Sequence, residues 1–408
     1  MNNQSISRLN WARTLQWRHI LPVFFIVCTF AAGTAAVLPV LPFHIRGMGG
    51  SPFLLGVIIS VEAMGQFASG PMLGQLSDRF GRKRVLIASQ AVAAASLLLL
   101  ALAPSITFIL LARVLLGLTA GNIAVTAAYV ADHTDAASRR QAMGILMGGA
   151  GVGGILGAGL SGLLSDTSLT APILVAFGLV LLSILVTAFS LDDAPAAPRS
   201  NDKIQEEQPS FRSILASPGI RVLIVVMLCH FFAYGMYVSQ MPVFLGDTFI
   251  WNGHAFGAKE LSYLIMADGA INVFAQIFLL GWLGKYVSDR SLILIIFALI
   301  SAGFLTAGFA TTIPILFLAV LCVSMGDALA KPTYMAALSN HVPLERQGLV
   351  LGGAQSLVAV ADIASPVLGG FILGYALYGI WIGAAVAMAT TGALLAATLL
   401  PRESRAEA

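Results

Sequence analysis

Charge is what this chain has little of. Of its 408 residues only 10% are Asp, Glu, Lys or Arg, while 58% are hydrophobic and the mean hydropathy is +0.89. A soluble domain carries about 25% charged residues, so the shortage excludes an ordinary water-soluble protein. Cysteine is scarce too. Cys28, Cys229 and Cys322 all fall inside apolar runs, with no CxxC or His/Cys spacing, which argues against a disulfide framework or a zinc site. No G-x4-G-K-[ST] loop occurs, and no polar segment is long enough for an ATPase domain, so energy from bound nucleotide is excluded. The apolar runs contain no HExxH or GxSxG, which leaves an intramembrane enzyme without its metal or nucleophile. The net charge of +3 is dispersed over loops and makes no surface for nucleic acid. The first apolar run is too long for the core of a cleaved signal and reads as a membrane helix.

Long apolar runs are what the chain does have. There are twelve, separated by polar or Gly/Pro breaks, at about 20–42, 53–74, 85–103, 106–130, 141–163, 171–191, 220–243, 261–283, 291–310, 313–339, 348–372 and 377–400. A helix needs about 20 apolar residues to cross a bilayer, whereas barrel strands are shorter and alternate in polarity. The expected fold is therefore all-α and integral to the membrane. Cations orient it. Arg8, Arg13 and Arg18 precede span 1. Arg79, Arg82, Lys83 and Arg84 follow span 2, and Arg139 and Arg140 follow span 4. Arg199, Lys203, Arg212 and Arg221 follow span 6, Lys285 and Arg290 span 8, Arg346 span 10, and Arg402 and Arg405 span 12. Only Arg46 and Lys259 fall on the opposite side, so both termini are expected in the cytoplasm. The Pro-rich polar segment 192–219 reads as a cytoplasmic linker between a bundle over 1–191 and another over 220–408.

The halves repeat weakly. Asp132-His133-Thr134-Asp135 after span 4 matches Asn340-His341-Val342-Pro343 after span 10, and the Gly-rich ends of spans 5 and 11 correspond. Two pseudo-symmetric six-helix halves are the mark of a transporter with its site near the midplane.

Particular residues then carry a resemblance. Gly74, Leu76, Asp78, Arg79, Gly81, Arg82 and Lys83 fit the pattern G-x-L-a-D-r-x-G-r-r, with Ser77 in place of the small alanine. Arg113 to Gly117 resembles R-x-x-q-G, with Leu116 at the polar position. Gly33 with Pro39-Val40-Leu41-Pro42 is like g-x5-P-V-x-P. Over its whole length the chain resembles the major facilitator superfamily and, within it, the twelve-span drug:proton antiporters that include the tetracycline efflux proteins. Two positions depart from the pattern. The span 5 motif keeps Gly153, Gly157 and Gly162 but has Ala158 for its proline, and span 1 has Phe30 where tetracycline exporters often place an acid.

The resemblance implies a cytoplasmic latch at Gly74, Asp78, Arg79, Gly81, Arg82 and Lys83, with Asp78 accepting hydrogen bonds from an arginine or a helix N-terminus. The plainer alternative is a set of cations that only fixes topology. Gly153, Gly157 and Gly162, with Pro366, Gly369 and Gly370 in the second half, are candidates for close packing or, by the resemblance, for a hinge.

Charges inside the spans are the sharpest signal, since each costs about 3 kcal/mol or more at the bilayer centre. They are Glu62, Arg113, Asp268, Asp327, Lys331 and Asp362. Glu62 and Arg113 fall at similar depth, about 10–15 Å from the outer end, and could pair. A carboxylate caught between desolvation and a guanidinium can take up and release a proton as its exposure changes. Asp327 and Lys331 share a face of span 10 at i,i+4, either as a self-neutralising pair or with Asp362 competing for the lysine. Asp268, Asn272 and Gln276 form a polar stripe on span 8. His230, Tyr234 and Tyr237 share a face of span 7, with Tyr334 on span 10. In the fold that the chain resembles, spans 1, 4, 7 and 10 line the cavity. Gln66, Asn122 and Thr126 are further cavity candidates. The implied protein is a monomeric proton-driven exporter of drug-like amphipathic molecules in the inner membrane of a bacterium. It would need no cofactor and would meet only its small-molecule substrate and lipid. The alternative on the same fold is a dedicated exporter of a metabolite such as a siderophore.

Overall fold

In lipid every backbone polar group has to be satisfied within the protein, which is why long apolar segments become helices. The computed structural model describes residues 17–192 and 217–401. Among them twelve helical segments are long and apolar enough to cross a membrane. They are span 1 (Ile20–Gly47), span 2 (Pro52–Phe80), span 3 (Arg82–Ala101), span 4 (Ile106–Asp132), span 5 (Ser138–Leu164) and span 6 (Ala171–Ser190). The second six are span 7 (Pro218–Thr248), span 8 (Ala258–Tyr286), span 9 (Asp289–Gly308), span 10 (Ile313–Asn340), span 11 (Arg346–Gly374) and span 12 (Tyr378–Leu399). Arg8, Arg13, Arg199, Lys203, Arg212, Arg402, Arg405 and nearly all of the expected linker lie outside the described residues. Large apolar side chains stand on the outside, among them Phe189 (85% exposed) and Phe309 (78%). Water would penalise that arrangement, whereas lipid accepts it.

The spans are not uniform rods. Span 1 breaks after Val37 and resumes as Leu41–Gly47, at the Pro39/Pro42 pair. Span 4 breaks between Gly117 and Asn122. Span 8 carries a π-helical turn at Ala275–Leu279. A short hairpin, Ile250–Trp251 with His254–Ala255, follows span 7. Its two turn residues, Asn252 (φ 47°) and Gly253 (φ 90°), have the positive φ values that an Asn-Gly hairpin turn requires.

The chain divides into two compact units, Met1–His44 with Met64–Ser200 and Ile45–Ala63 with Asn201–Ala408. In the first, span 1 packs on spans 5 and 6, and span 3 on spans 4 and 6; in the second, span 7 packs on spans 11 and 12, and span 9 on spans 10 and 12. The same packing scheme thus serves both halves of the sequence. It extends to single side chains. His133 Nδ1 meets the Tyr129 carbonyl at 2.9 Å, and His341 Nδ1 meets the Ala337 carbonyl at 2.7 Å. Arg139 donates to the Ala131 carbonyl and Gln347 to the Ser339 carbonyl, each reaching back eight residues.

Glycine decides the tightest crossing of the first unit. Gly149, Gly153 and Gly157 face Phe24, Cys28 and Ala32 of span 1, one turn per turn, so closely that a Cβ on any of them would meet a span 1 backbone carbonyl. Buried polar groups tie the same unit together. Gln90 donates to Ser183 at 3.1 Å, Thr187 donates to Gln90 at 3.1 Å, and Ser183 donates to the Ile26 carbonyl at 3.1 Å. This knot joins spans 1, 3 and 6.

In the second unit the segment Ile45–Ala63 is held by span 7 and span 11. Arg46 pairs with Asp247 at 2.6 Å, and Tyr378 donates to the same carboxylate at 3.1 Å. Ser60 donates to the Ile363 carbonyl at 2.6 Å, and Gly56 packs against Pro366. Gly369 sits against Met236 of span 7 and Gly370 against Pro52 and Phe53 of span 2.

Candidate functional site

In the first unit the loop between spans 2 and 3 is built around Arg82. Its Nη2 lies 2.6 Å from Asp78 Oδ1 and its Nε 3.1 Å from Asp132 Oδ2, while Nη1 donates to the Ser77 hydroxyl. One planar guanidinium therefore grips an acid on span 2 and another at the end of span 4, the geometry that suits arginine and not lysine. Ser77 is fully buried and donates its own hydrogen bond to the Gly74 carbonyl at 2.8 Å. The turn that makes this possible is Gly81, at φ +92° and ψ 145°, backbone territory closed to other residues. Arg79 lies over the Phe80 ring at 5.2 Å, and Lys83 is half-buried. The sequence puts Asp78 at the centre of the motif; the structure puts Arg82 there, with Asp132 and Ser77 as partners that the motif does not name.

The other candidates of the first half belong to spans 2, 4 and 5. Arg113 is buried at 1% exposure in the first unit, whereas Glu62 is half-buried on the segment that clusters with the second. Gln66 is exposed on span 2. Asn122 and Thr126 are buried packing groups: Ser89 bonds to Asn122, and Thr126 donates to the Asn122 carbonyl at 2.7 Å. Gly153 and Gly157 pack on span 1, and Gly162 is buried.

The second unit concentrates the intramembrane charges. On span 7, His230 is wholly buried in an aromatic surround, with ring centroids of Phe231, Phe297 and Tyr334 at 5.0, 6.0 and 5.6 Å and Tyr234 stacked at 6.3 Å. His230 Nε2 stands 3.5 Å from Asp327 Oδ1. Neither ring nitrogen makes a hydrogen bond, so the approach to Asp327 is an electrostatic contact. Tyr234 is within hydrogen-bonding reach of the same carboxylate. The buried hydroxyls of Tyr237 and Tyr334 also lack hydrogen-bond partners. Buried polar atoms are nearly always paired, and in this unit Gln240 Oε1 and the Ser365 hydroxyl are unpaired as well.

Asp327 does not form the intrahelical pair that its spacing allows. The basic side chain within 4.0 Å of it is His230, and no carboxylate lies within 4.0 Å of Lys331 among the described residues. Asp362 on span 11 is near enough to feel the charges of both Lys331 and Asp327. Asp268 on span 8 is hydrogen-bonded by Ser324 of span 10 and feels Asp327. His230, Asp268, Asp327, Lys331 and Asp362, drawn from positions 230 to 362 of the sequence, thus form one electrostatic group contributed by spans 7, 8, 10 and 11.

Two cavities open on this group. One, of about 490 Å³, is lined by Phe231, Asn272, Gln276, Leu280, Asp327, Ala328, Lys331 and Pro332. Pro332 has no N–H for the Ala328 carbonyl one turn back, and Gln276 belongs to the π-helical turn. The other, of about 70 Å³, is mostly apolar, with Tyr234, Tyr237, Asp268 and Ser324 on its wall. The span 8 stripe therefore divides: Asn272 and Gln276 face the larger space and Asp268 the smaller. Phe231 and Ser324 are site residues that the sequence reading misses. Among the described residues no group of three or more His, Cys, Asp or Glu is placed to hold a metal ion.

The comparisons agree with this architecture. The Major Facilitator Superfamily profile matches residues 23–352 and 249–408. The chain is 30% identical over 343 residues to the tetracycline resistance protein, class C, of Escherichia coli, covering 83% of this chain and 85% of that one. It is 26% identical over 350 residues to multidrug resistance protein 2 of Bacillus subtilis, with 83% and 85% covered. Among solved structures it superposes on the nucleoside transporter NupG with a TM-score of 0.73 at 12% identity, over 94% of this chain and 98% of that one. With its profile matched along almost the whole sequence, this chain belongs to the major facilitator superfamily, in the company of the tetracycline and multidrug resistance proteins.

Proposed function

We propose that this protein is a proton-coupled exporter of amphipathic small molecules, working by alternating access in the cytoplasmic membrane of a bacterium with both termini inside. The observation that carries the coupling is the group of three carboxylates, Asp268, Asp327 and Asp362, set beside His230 and Lys331, with Asp268, Asp327 and Lys331 on the walls of the two cavities. An acid held in a low-dielectric bundle is stable when a cation or a proton neutralises it. A conformational step or a bound substrate that takes the partner away therefore recruits a proton, and its return releases one. The partly satisfied contact between His230 and Asp327 is suited to that exchange, because a formed, fully hydrogen-bonded pair would resist it. The named relatives add the substrate side: they are resistance proteins against tetracycline and multiple drugs. No cofactor enters this scheme; the proton gradient drives it.

The test is accumulation of a fluorescent amphipathic dye in everted vesicles carrying the full-length protein. Imposing an inward-acid gradient should drive uptake, and a protonophore should abolish it. Uptake that ignores the proton gradient would remove proton coupling from the reading. Uptake that survives Asp268→Asn and Asp327→Asn together would remove the acid cluster.

A further inference from the structure

The charges around the larger cavity are unequally partnered, and that asymmetry says what the cavity is built to hold. Its acid, Asp327, has the His230 ring 3.5 Å away and the Tyr234 hydroxyl within hydrogen-bonding reach. Its base, Lys331, one turn along the same helix, also lines the cavity and has no carboxylate within 4.0 Å among the described residues. Asp362 attracts Lys331 from span 11 without closing to an ion pair. The remaining polar walls are the amides of Asn272 and Gln276, linked to each other by a long 3.4 Å contact. Both are uncharged and can donate as well as accept. Phe231, Leu280 and Pro332 supply an apolar face. A volume of about 490 Å³ is that of a small-molecule site.

We infer that the cavity recognises amphipathic molecules bearing an ionised acidic group, as zwitterions or weak-acid anions, with Lys331 as the counter-charge, Asn272 and Gln276 bonding to the polar edge and Phe231 packing on the ring system. A permanent monocation fits poorly. It would meet the Lys331 ammonium on the cavity wall, with no carboxylate within 4.0 Å of that ammonium among the described residues. Burying a charge without a partner is the costly event, so discrimination arises as much from rejecting the cation as from attracting the anion. This assignment rests on the export reading above for its biological sense, but the binding that it describes needs no transport.

The test uses one scaffold in two charge states: rhodamine B, a zwitterion through its carboxylate, and its ethyl ester, a monocation. Full-length protein in lipid nanodiscs is titrated with each dye by fluorescence polarisation. Rhodamine B should bind at least ten-fold more tightly than the ester. Lys331→Gln should remove that preference, and Lys331→Arg should restore most of it, which also shows that position 331 tolerates replacement without unfolding. Equal or tighter binding of the ester, no measurable binding of either dye, or a Lys331→Gln effect that is the same for both would overturn the assignment. The two readings fail separately. Selective binding without gradient-driven uptake in everted vesicles would sink export and leave the ligand class standing. Gradient-driven uptake without charge selectivity would do the reverse.

Discussion

At the scale of single residues, two side chains organise the molecule's polar chemistry. Arg82 holds Asp78, Asp132 and Ser77 at once. The two carboxylates are 38% and 44% exposed, so the ion pairs contribute about 1 kcal/mol or less each to stability. Their importance lies in what they join, the end of span 2 to the end of span 4. Arg82→Lys, which cannot reproduce the fork, should therefore slow transport several-fold while thermal stability in detergent stays near that of the parent. An equal loss in both measurements would mean that Arg82 is only a packing residue. Gly81→Ala places a side chain at φ +92° and should cost about 1–3 kcal/mol, read as a lower melting temperature. In the second unit, Asp327→Asn should reduce gradient-driven uptake at least ten-fold. His230→Asn should act in the same direction but less, since Tyr234 still reaches Asp327. Sequence spacing brought out the charges but not their pairing. An i,i+4 rule offered Lys331 to Asp327, and only the tertiary packing of span 7 on span 10 presents His230 instead. Ser77 was equally opaque: as a departure from a motif it looked incidental, and its role needs the position of Arg82.

At the scale of elements, the glycine stripe of span 5 is the clearest case of sequence meaning realised in packing. Its small residues foretold a close approach, and the structure supplies the partner, span 1, along Phe24, Cys28 and Ala32. Gly153→Val or Gly157→Val forces side-chain atoms into a span 1 backbone carbonyl, and overpacking of that kind typically costs about 1–3 kcal/mol. Either variant should lower the yield of folded protein in the membrane, measured by size-exclusion chromatography after extraction, whereas Gly154→Ala, which meets nothing, should not. The partner was not legible because a glycine stripe says that something comes close but not which helix. The Asn252-Gly253 hairpin, by contrast, was legible in principle: the dipeptide is a strong turn signal, overlooked among segments read only for hydropathy. The Gln90, Ser183 and Thr187 knot was hidden for the opposite reason, since isolated polar residues in apolar runs give no hint of their partners.

At the scale of the whole molecule, the number of spans and the twofold repeat were readable because hydrophobic length and recurring loop residues are local signals. The repeat proves deeper than the motif, as the matching caps at His133 and His341 show. Its charges, however, have diverged. Where Arg82 meets Asp132 in the first half, Asp289 meets Asn340 at 3.4 Å in the second. Asp78→Asn should thus slow transport far more than Lys285→Ala; equal effects would deny the asymmetry. What was not readable is that Ile45–Ala63 packs within the second unit through Arg46, Ser60 and Gly56, contacts made between residues up to about three hundred positions apart.

The π-helical turn of span 8 has one more consequence. Such a turn holds one residue more than an α-helix advancing the same distance, so span 8 stores a one-residue slip at Ala275–Leu279. Deleting a single residue there, Phe278 for example, would let the helix close into regular α geometry. Leu280 to Tyr286 would then keep their orientation relative to Ala258–Phe274, because the deletion removes only the residue that the bulge takes up. Closing the turn with no residue removed would do the opposite: the chain from Leu280 onward would be carried round by about 100°, taking Leu280 off the cavity wall that it shares with Asn272.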